Sequence, residues 1–270
     1  MEATVAVQFT DQLGRTISLP TTPQRIISLV PSQTELLFDL GLDEEVVGVT
    51  RFCVHPAQKC RTKTIIGGTK QFNFEAIARL QPDLILGNKE ENYREGIEEL
   101  RQSYPVWLSD ITTLEDACAM ISSVGAMVRR QTAAAQIISG IYEAFSSLPQ
   151  GPPLRVAYLI WRKPYMVAGN RTFANTMLQR AGFVNVFAHL PRYPEITPAQ
   201  LIAAKPDLLL LPTEPFPFSE KHRKEFRSHM PATPTLLVDG QMFTWYGSRL
   251  LRAAAYFRSL HHRLQAAGVA

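Results

Sequence analysis

The strongest constraint on this chain is that it repeats itself. Pro82-Asp83-Leu84-Ile85-Leu86 returns as Pro206-Asp207-Leu208-Leu209-Leu210, each after a short helical segment. Leu36 to Gly41 returns as Met177 to Gly182, and Trp107-Leu108-Ser109-Asp110 returns more loosely as Leu236-Leu237-Val238-Asp239. Three matches in the same order point to two copies of one supersecondary plan. A chain of 270 residues has room for two such lobes of ordinary domain size.

The local pattern says what each copy is made of. Arg25 to Val30, Val46 to Thr50, Asp83 to Leu86 and Val106 to Leu108 are short apolar runs of strand length. Between them Thr34 to Leu40, Phe74 to Leu80 and Tyr93 to Arg101 carry helical spacing. Strands separated by helices predict parallel βαβ units. Ahead of them, Val5 to Phe9 and Arg15 to Leu19 flank the turn residues Asp11 to Gly14 and predict a β-hairpin.

Leu114 to Leu148 contains no proline and keeps helical apolar spacing, with a break expected near Gly125 to Thr132. Its second part would span roughly 26 Å at the helical rise, enough to bridge two lobes. Pro149-Gln150-Gly151-Pro152-Pro153 then punctuates the chain, a second series starts at Leu154, and a helix over Ser248 to Leu264 closes it. The predicted organisation is α/β, with an N-terminal lobe over 1–113, a bridging helical segment over 114–150 and a C-terminal lobe over 151–270.

Composition removes several function classes. The net charge of +4 comes from scattered Lys and Arg, so no nucleic-acid partner is expected. No apolar run is long enough for a membrane span. Met1-Glu2-Ala3-Thr4 runs into strand-like sequence without a secretory leader, so a cytoplasmic protein is expected, or a periplasmic one whose leader has been removed. Cys53, Cys60 and Cys118 lack metal-type spacing and read as reduced structural thiols. There is no phosphate loop, nucleophile elbow or His pair, so no catalytic residue, resident metal or intrinsic cofactor is expected. A monomeric binding protein is favoured over an enzyme.

Open parallel sheets bind ligands beyond the carboxyl ends of their strands, and this chain's least ordinary segments follow such ends. They are Asn88-Lys89-Glu90-Glu91-Asn92, Trp161 to Met166, Thr213 to Phe218, and Phe243 to Arg249. Aromatics interleaved with charges predict an apolar cavity with a few fixed polar groups. The candidate ligand contacts there are Lys89, Glu90, Trp161, Arg162, Tyr165, Phe216, Trp245, Tyr246 and Arg249, with His55 as a further candidate.

Each has a plainer alternative. Asn88, Glu90 and Glu91 would suit a helix start. Phe216 could pack over an edge, Trp245 and Tyr246 could staple the last helix, and His55 could be a hydrogen-bonded loop histidine. Trp161 to Arg171 is an insertion relative to the Pro31-Ser32 turn, which favours a functional loop.

Taken together, Arg25 to Gly41, Asn73-Phe74-Glu75-Ala76-Ile77, Gln81-Pro82-Asp83-Leu84-Ile85, Tyr193-Pro194-Glu195-Ile196 and Lys205-Pro206-Asp207 resemble a known family. It is the helical-backbone, or class III, substrate-binding proteins of ABC importers for cobalamin, haem and iron–siderophores. The resemblance is closest to the cobalamin-binding branch. It implies two Rossmann-like lobes joined by a long helix, with a metal chelate such as cobalamin bound in the cleft as ligand rather than cofactor. By position it adds Phe52 and Tyr193 to the ligand contacts. It also makes Glu75 the carboxylate that docks on the importer permease, while Ala199 stands where the second docking carboxylate belongs. The absent leader makes this chain resemble a signal-less subgroup, an intracellular relative. The competing expectations are an enzyme using Lys89, Glu90 and Arg162 on an anionic small molecule, and an interaction domain that has lost its ligand.

Overall fold

The computed structural model describes residues 6–148 and 154–269. Met1 to Val5, the expected leader-free start and first strand residue, and the Pro149 to Pro153 punctuation lie outside the described residues. By their contacts the described residues form two units, one of 6–111, 115–140 and 246–249, the other of 112–114, 141–148, 154–245 and 250–269. One of the points at which the chain changes unit lies inside a helix, between Gly140 and Ile141.

The first unit opens with the antiparallel hairpin β1 (Val7–Thr10) and β2 (Thr16–Leu19). Its turn is held by the Asp11 carboxylate, which accepts from the amides of Leu13 (3.0 Å) and Arg15 (2.8 Å). Then follow β3 (Ile26–Ser28), α1 (Pro31–Asp39), β4 (Val46–Val49), α2 (Ala57–Cys60) and β5 (Thr64–Ile65). The small hairpin β6 (Gly67–Gly68) and β7 (Gln71–Phe72) leads into α3 (Phe74–Leu80), β8 (Leu84–Asn88), α4 (Arg94–Arg101) and β9 (Val106–Ser109). The sheet order is β5-β4-β3-β8-β9, every neighbour pair parallel. Ile27, Leu29, Ile77, Ile85 and Leu108 fill its core.

The proline-free stretch forms α5 (Leu114–Met127) and α6 (Gln131–Ser146), broken where Arg129 turns to φ 53°. The stretch is therefore two helices, with the break inside the expected window. Gly125 sits so close to α6 that an added Cβ would lie 2.4 Å from the Ala134 Cβ.

The second unit begins with β10 (Leu154–Trp161), which forms a hairpin with β11 (Tyr165–Val167). It continues through α7 (Phe173–Arg180), β12 (Phe183–Asn185), β13 (Glu195–Ile196), α8 (Pro198–Ala203) and β14 (Leu208–Pro212). Then come α9 (Glu220–His229), β15 (Thr235–Val238), α10 (Gln241–Thr244) and α11 (Leu250–Ala266). Strands β12, β10, β14 and β15 are parallel in that order, and antiparallel β11 and β13 extend the outer half of β10.

The order β12-β10-β14-β15 repeats β4-β3-β8-β9, and the repeat reaches atomic detail. The Asp83 carboxylate accepts from the amides of Gln24 (2.7 Å) and Arg25 (2.8 Å), and Asp207 accepts from Arg155 (2.9 Å). Arg25 donates to the Leu80 carbonyl at 2.7 Å, and Arg155 to Ala204 at 3.0 Å. Each Pro-Asp pair thus ties the start of a central strand to the helix before its neighbour. Helices α1 and α7 both end on a glycine with positive φ, Gly41 at 78° and Gly182 at 80°, the left-handed stop that glycine adopts without strain.

Candidate functional site

In the first unit the carboxyl ends of β3, β8 and β9 carry a buried polar network. Gln33 donates to Ser109 Oγ (2.8 Å) and the Gly87 carbonyl (3.1 Å), and Asn88 donates to the same Ser109 hydroxyl (3.0 Å). Asn88 Oδ1 accepts from the amides of Glu90 (2.8 Å) and Glu91 (3.1 Å), so it caps a turn; α4 begins later, at Arg94. Above that network Lys89 is exposed and ion-paired with Asp110 (2.6 Å). The Glu90 carbonyl accepts from Lys70 (2.5 Å), while the Glu90 side chain is half-buried. Phe52 is exposed beside Gly68, with the Arg51 guanidinium 6.0 Å from its ring centre. His55 is half-buried in the loop, its carbonyl accepting from Cys60 Sγ.

Three aromatic or cationic candidates prove to be interior. Arg249 is 5% exposed, and its Nε and Nη2 both bond Glu35 at 2.7 Å. These bonds tie the guanidinium expected to serve a ligand to α1. Tyr246 is buried and donates to Glu91 Oε1 at 2.5 Å; burial, then the Glu91 charge, hold its phenol well above the usual range. Trp245, in the second unit, is buried with its indole N–H donating to Glu214 Oε1 (2.7 Å). Burial raises the Glu214 carboxyl above its ordinary value, although Trp245 and Thr244 pull the other way. Burial likewise lifts Cys53 and takes the Cys60 thiol up to about 11, in keeping with inert reduced cysteines.

The second unit gathers four of the candidates on one surface. Trp161, the last residue of β10, is 41% exposed and stands edge-on to Phe216, with ring centres 5.4 Å apart. Phe216 in turn packs on Phe218 (4.7 Å) and His222 (5.2 Å). Beside this aromatic step, Arg162 Nε (3.0 Å) and Nη2 (2.7 Å) both donate to Glu225 Oε2. The Tyr165 hydroxyl donates to Glu225 Oε1 at 3.4 Å. Burial raises the Glu225 carboxyl, but the Arg162 bond and charge outweigh it, leaving it below the usual carboxylate range. Tyr193, also in this unit, is half-buried with the Arg192 guanidinium 5.9 Å from its ring centre.

Glu225, Glu35, Glu214 and Asp110 were not singled out from sequence. Glu225 lies on α9, whose buried His222 and Phe226 keep i, i+4 spacing within an otherwise charged run, a signal too short to stand out. Among the described residues no group of three or more His, Cys, Asp or Glu side chains could hold a metal ion. No helix among them is long and apolar enough to cross a membrane.

The sequence model of the periplasmic binding protein family matches residues 26–237. The chain belongs to that family. It is a substrate-binding protein rather than an enzyme, and the enzyme expectation is set aside. A vitamin B12-binding protein from Pectobacterium carotovorum is 25% identical over 240 residues, covering 86% of each chain.

Solved structures of periplasmic proteins share the fold. The periplasmic vitamin B12-binding protein BtuF of Vibrio cholerae aligns with TM-score 0.74 and 22% identity, over 90% of this chain and 98% of that one. The periplasmic haem-binding protein BhuT, in complex with two haems, aligns with TM-score 0.75 and 23% identity, over 91% and 99%. The cytoplasmic expectation finds no support in these comparisons, whereas its periplasmic alternative fits the family's description.

Proposed function

We propose that the chain binds a metal chelate, a corrinoid such as cobalamin or a haem or iron–siderophore, and presents it in the periplasm to an ABC importer. The observation that carries this reading is the Trp161–Phe216 aromatic step beside the Arg162–Glu225–Tyr165 group at the end of β10. An exposed aromatic edge offers a large planar ligand stacking area, and the adjoining polar group fixes its orientation. Phe52, Tyr193, Lys89 and Glu90 are the other proposed contacts, and the names of the relatives support a chelate as the ligand class.

Titration with cyanocobalamin, haemin and a ferric siderophore, read by absorption and tryptophan quenching, tests the reading. At least one should bind with micromolar affinity or better, and Trp161→Ala should weaken it about tenfold, the scale of a lost aromatic contact. Absence of binding to all three would overturn the proposal.

Importer docking is proposed through Glu75, exposed in the first turn of α3 and paired with Arg79 at 2.5 Å. Ala199 occupies the first turn of α8, the counterpart of α3 in the repeat. Docking would then rest on Glu75 alone, and Glu75→Lys should abolish capture of the folded protein by its permease while leaving ligand affinity unchanged.

A further inference from the structure

We infer that Glu225 sets ligand specificity, tuning the second unit's aromatic face to a chelate with an uncharged, amide-bearing rim and against one bearing free carboxylates. The inference rests on the metal-chelate reading and deepens it. The observation behind it is how the Arg162 fork is used. A guanidinium receives a ligand carboxylate best through two parallel N–H bonds from one edge. In this chain the Nε and Nη2 edge of Arg162 is already closed on one oxygen of Glu225, at 3.0 and 2.7 Å.

The pair is only about a quarter exposed on each side, at 25% and 26%, so solvent ions screen it weakly. A ligand carboxylate arriving at this edge would meet the Glu225 charge as well as that of Arg162. A primary amide suffers no such penalty. Its N–H can donate to Glu225 Oε1, whose Tyr165 bond is long at 3.4 Å, and its carbonyl can accept from the outer guanidinium nitrogen. Lys163, the neighbouring cation, is exposed, where its attraction for an anion is screened. The first unit repeats the device on its own strand-end loop, where Lys89 is closed on Asp110 at 2.6 Å.

The same probes separate this inference from the reading beneath it. Cyanocobalamin carries a rim of neutral amides, whereas haemin carries two propionates. Wild-type protein should prefer cyanocobalamin. Glu225→Gln, with its fold checked by circular dichroism and melting temperature, should gain about tenfold in haemin affinity, one charge contact's worth, without a gain for cyanocobalamin. That gain should vanish in the Arg162→Gln, Glu225→Gln double variant, which a merely structural role for Glu225 would not predict. Equal or tighter haemin binding by wild type would overturn the inference while the chelate reading stands, as would equal changes in both affinities. Binding of neither probe nor of a ferric siderophore would overturn both.

Discussion

Glu35 and Arg249 stand 214 positions apart in sequence and meet in a buried, two-bond ion pair, 4% and 5% exposed on their side chains. Removing one member of a buried ion pair forfeits its two bonds and leaves the remaining charge out of water, whereas removing both costs far less. Glu35→Gln should therefore lower stability by about 3–5 kcal/mol in urea unfolding. A Glu35→Leu, Arg249→Met double variant should recover most of the loss.

Glu214 gives the opposite sign at the same scale. Its folded carboxyl has a raised pKa, so the stability it contributes is present below the unfolded value of about 4.3 and is lost as pH rises through the folded value. Glu214→Gln, still able to accept from the Trp245 indole, should match or exceed wild-type stability at pH 7 and lose that advantage as pH falls. Glu214→Ala removes the carboxylate that accepts from the buried Trp245 indole and should cost about 1–3 kcal/mol. Urea unfolding followed across pH 4 to 8 checks both.

At the scale of elements, the short segment between α10 and α11 shows how a backbone can carry a requirement that side chains cannot. A Cβ on Gly247 would fall 2.4 Å from the Ser32 carbonyl oxygen and 3.5 Å from the Leu36 Cβ. Gly247→Ala should accordingly push this segment off α1 and destabilise the protein by roughly 1–3 kcal/mol, the range for overpacking.

Most helices and parallel strands were readable because their apolar spacing is local: α3 occupies the predicted Phe74 to Leu80, and α1 extends the predicted helix back to Pro31, a residue suited to a helix's first position. Pro31, placed in a turn after the first buried strand, is also the first residue of the helix that follows. The antiparallel β11 and β13 escaped notice because strands of two or three residues have no period to detect. Helix α9 escaped because its sequence, Glu-Lys-His-Arg-Lys-Glu-Phe-Arg-Ser-His, buries only His222 and Phe226.

At the scale of the molecule, the two units follow one plan, but among the described residues the first carries an N-terminal hairpin for which the second shows no counterpart. That hairpin covers the outer strand. The Trp107 indole donates to the Thr10 carbonyl (3.2 Å), Arg101 pairs with Asp11 (2.8 Å), and the Asp110 amide donates to Gln12 (3.0 Å). Deleting residues 1–20 would expose a fully buried tryptophan and unpair Arg101. The expected result is a red-shifted tryptophan emission and a melting temperature lower by several degrees, at about 4–8 °C per kcal/mol for a small unit. An unchanged spectrum would show that the hairpin is dispensable.

The sequence by itself determined the repeat, the parallel α/β plan and the strand ends at which unusual residues collect, because apolar period, turn residues and the Pro-Asp clasp act over a few positions. It also carried the likeness to a binding-protein family. Only the tertiary structure decided which of those unusual residues face solvent and which are spoken for. Arg249, Tyr246 and Trp245 looked as available as Arg162, Tyr165 and Trp161, yet the first three are interior. Their partners Glu35, Glu91 and Glu214 lie between 31 and 214 positions away. A charge pair is fixed by distance in space, and no local pattern records which carboxylate will close on which cation.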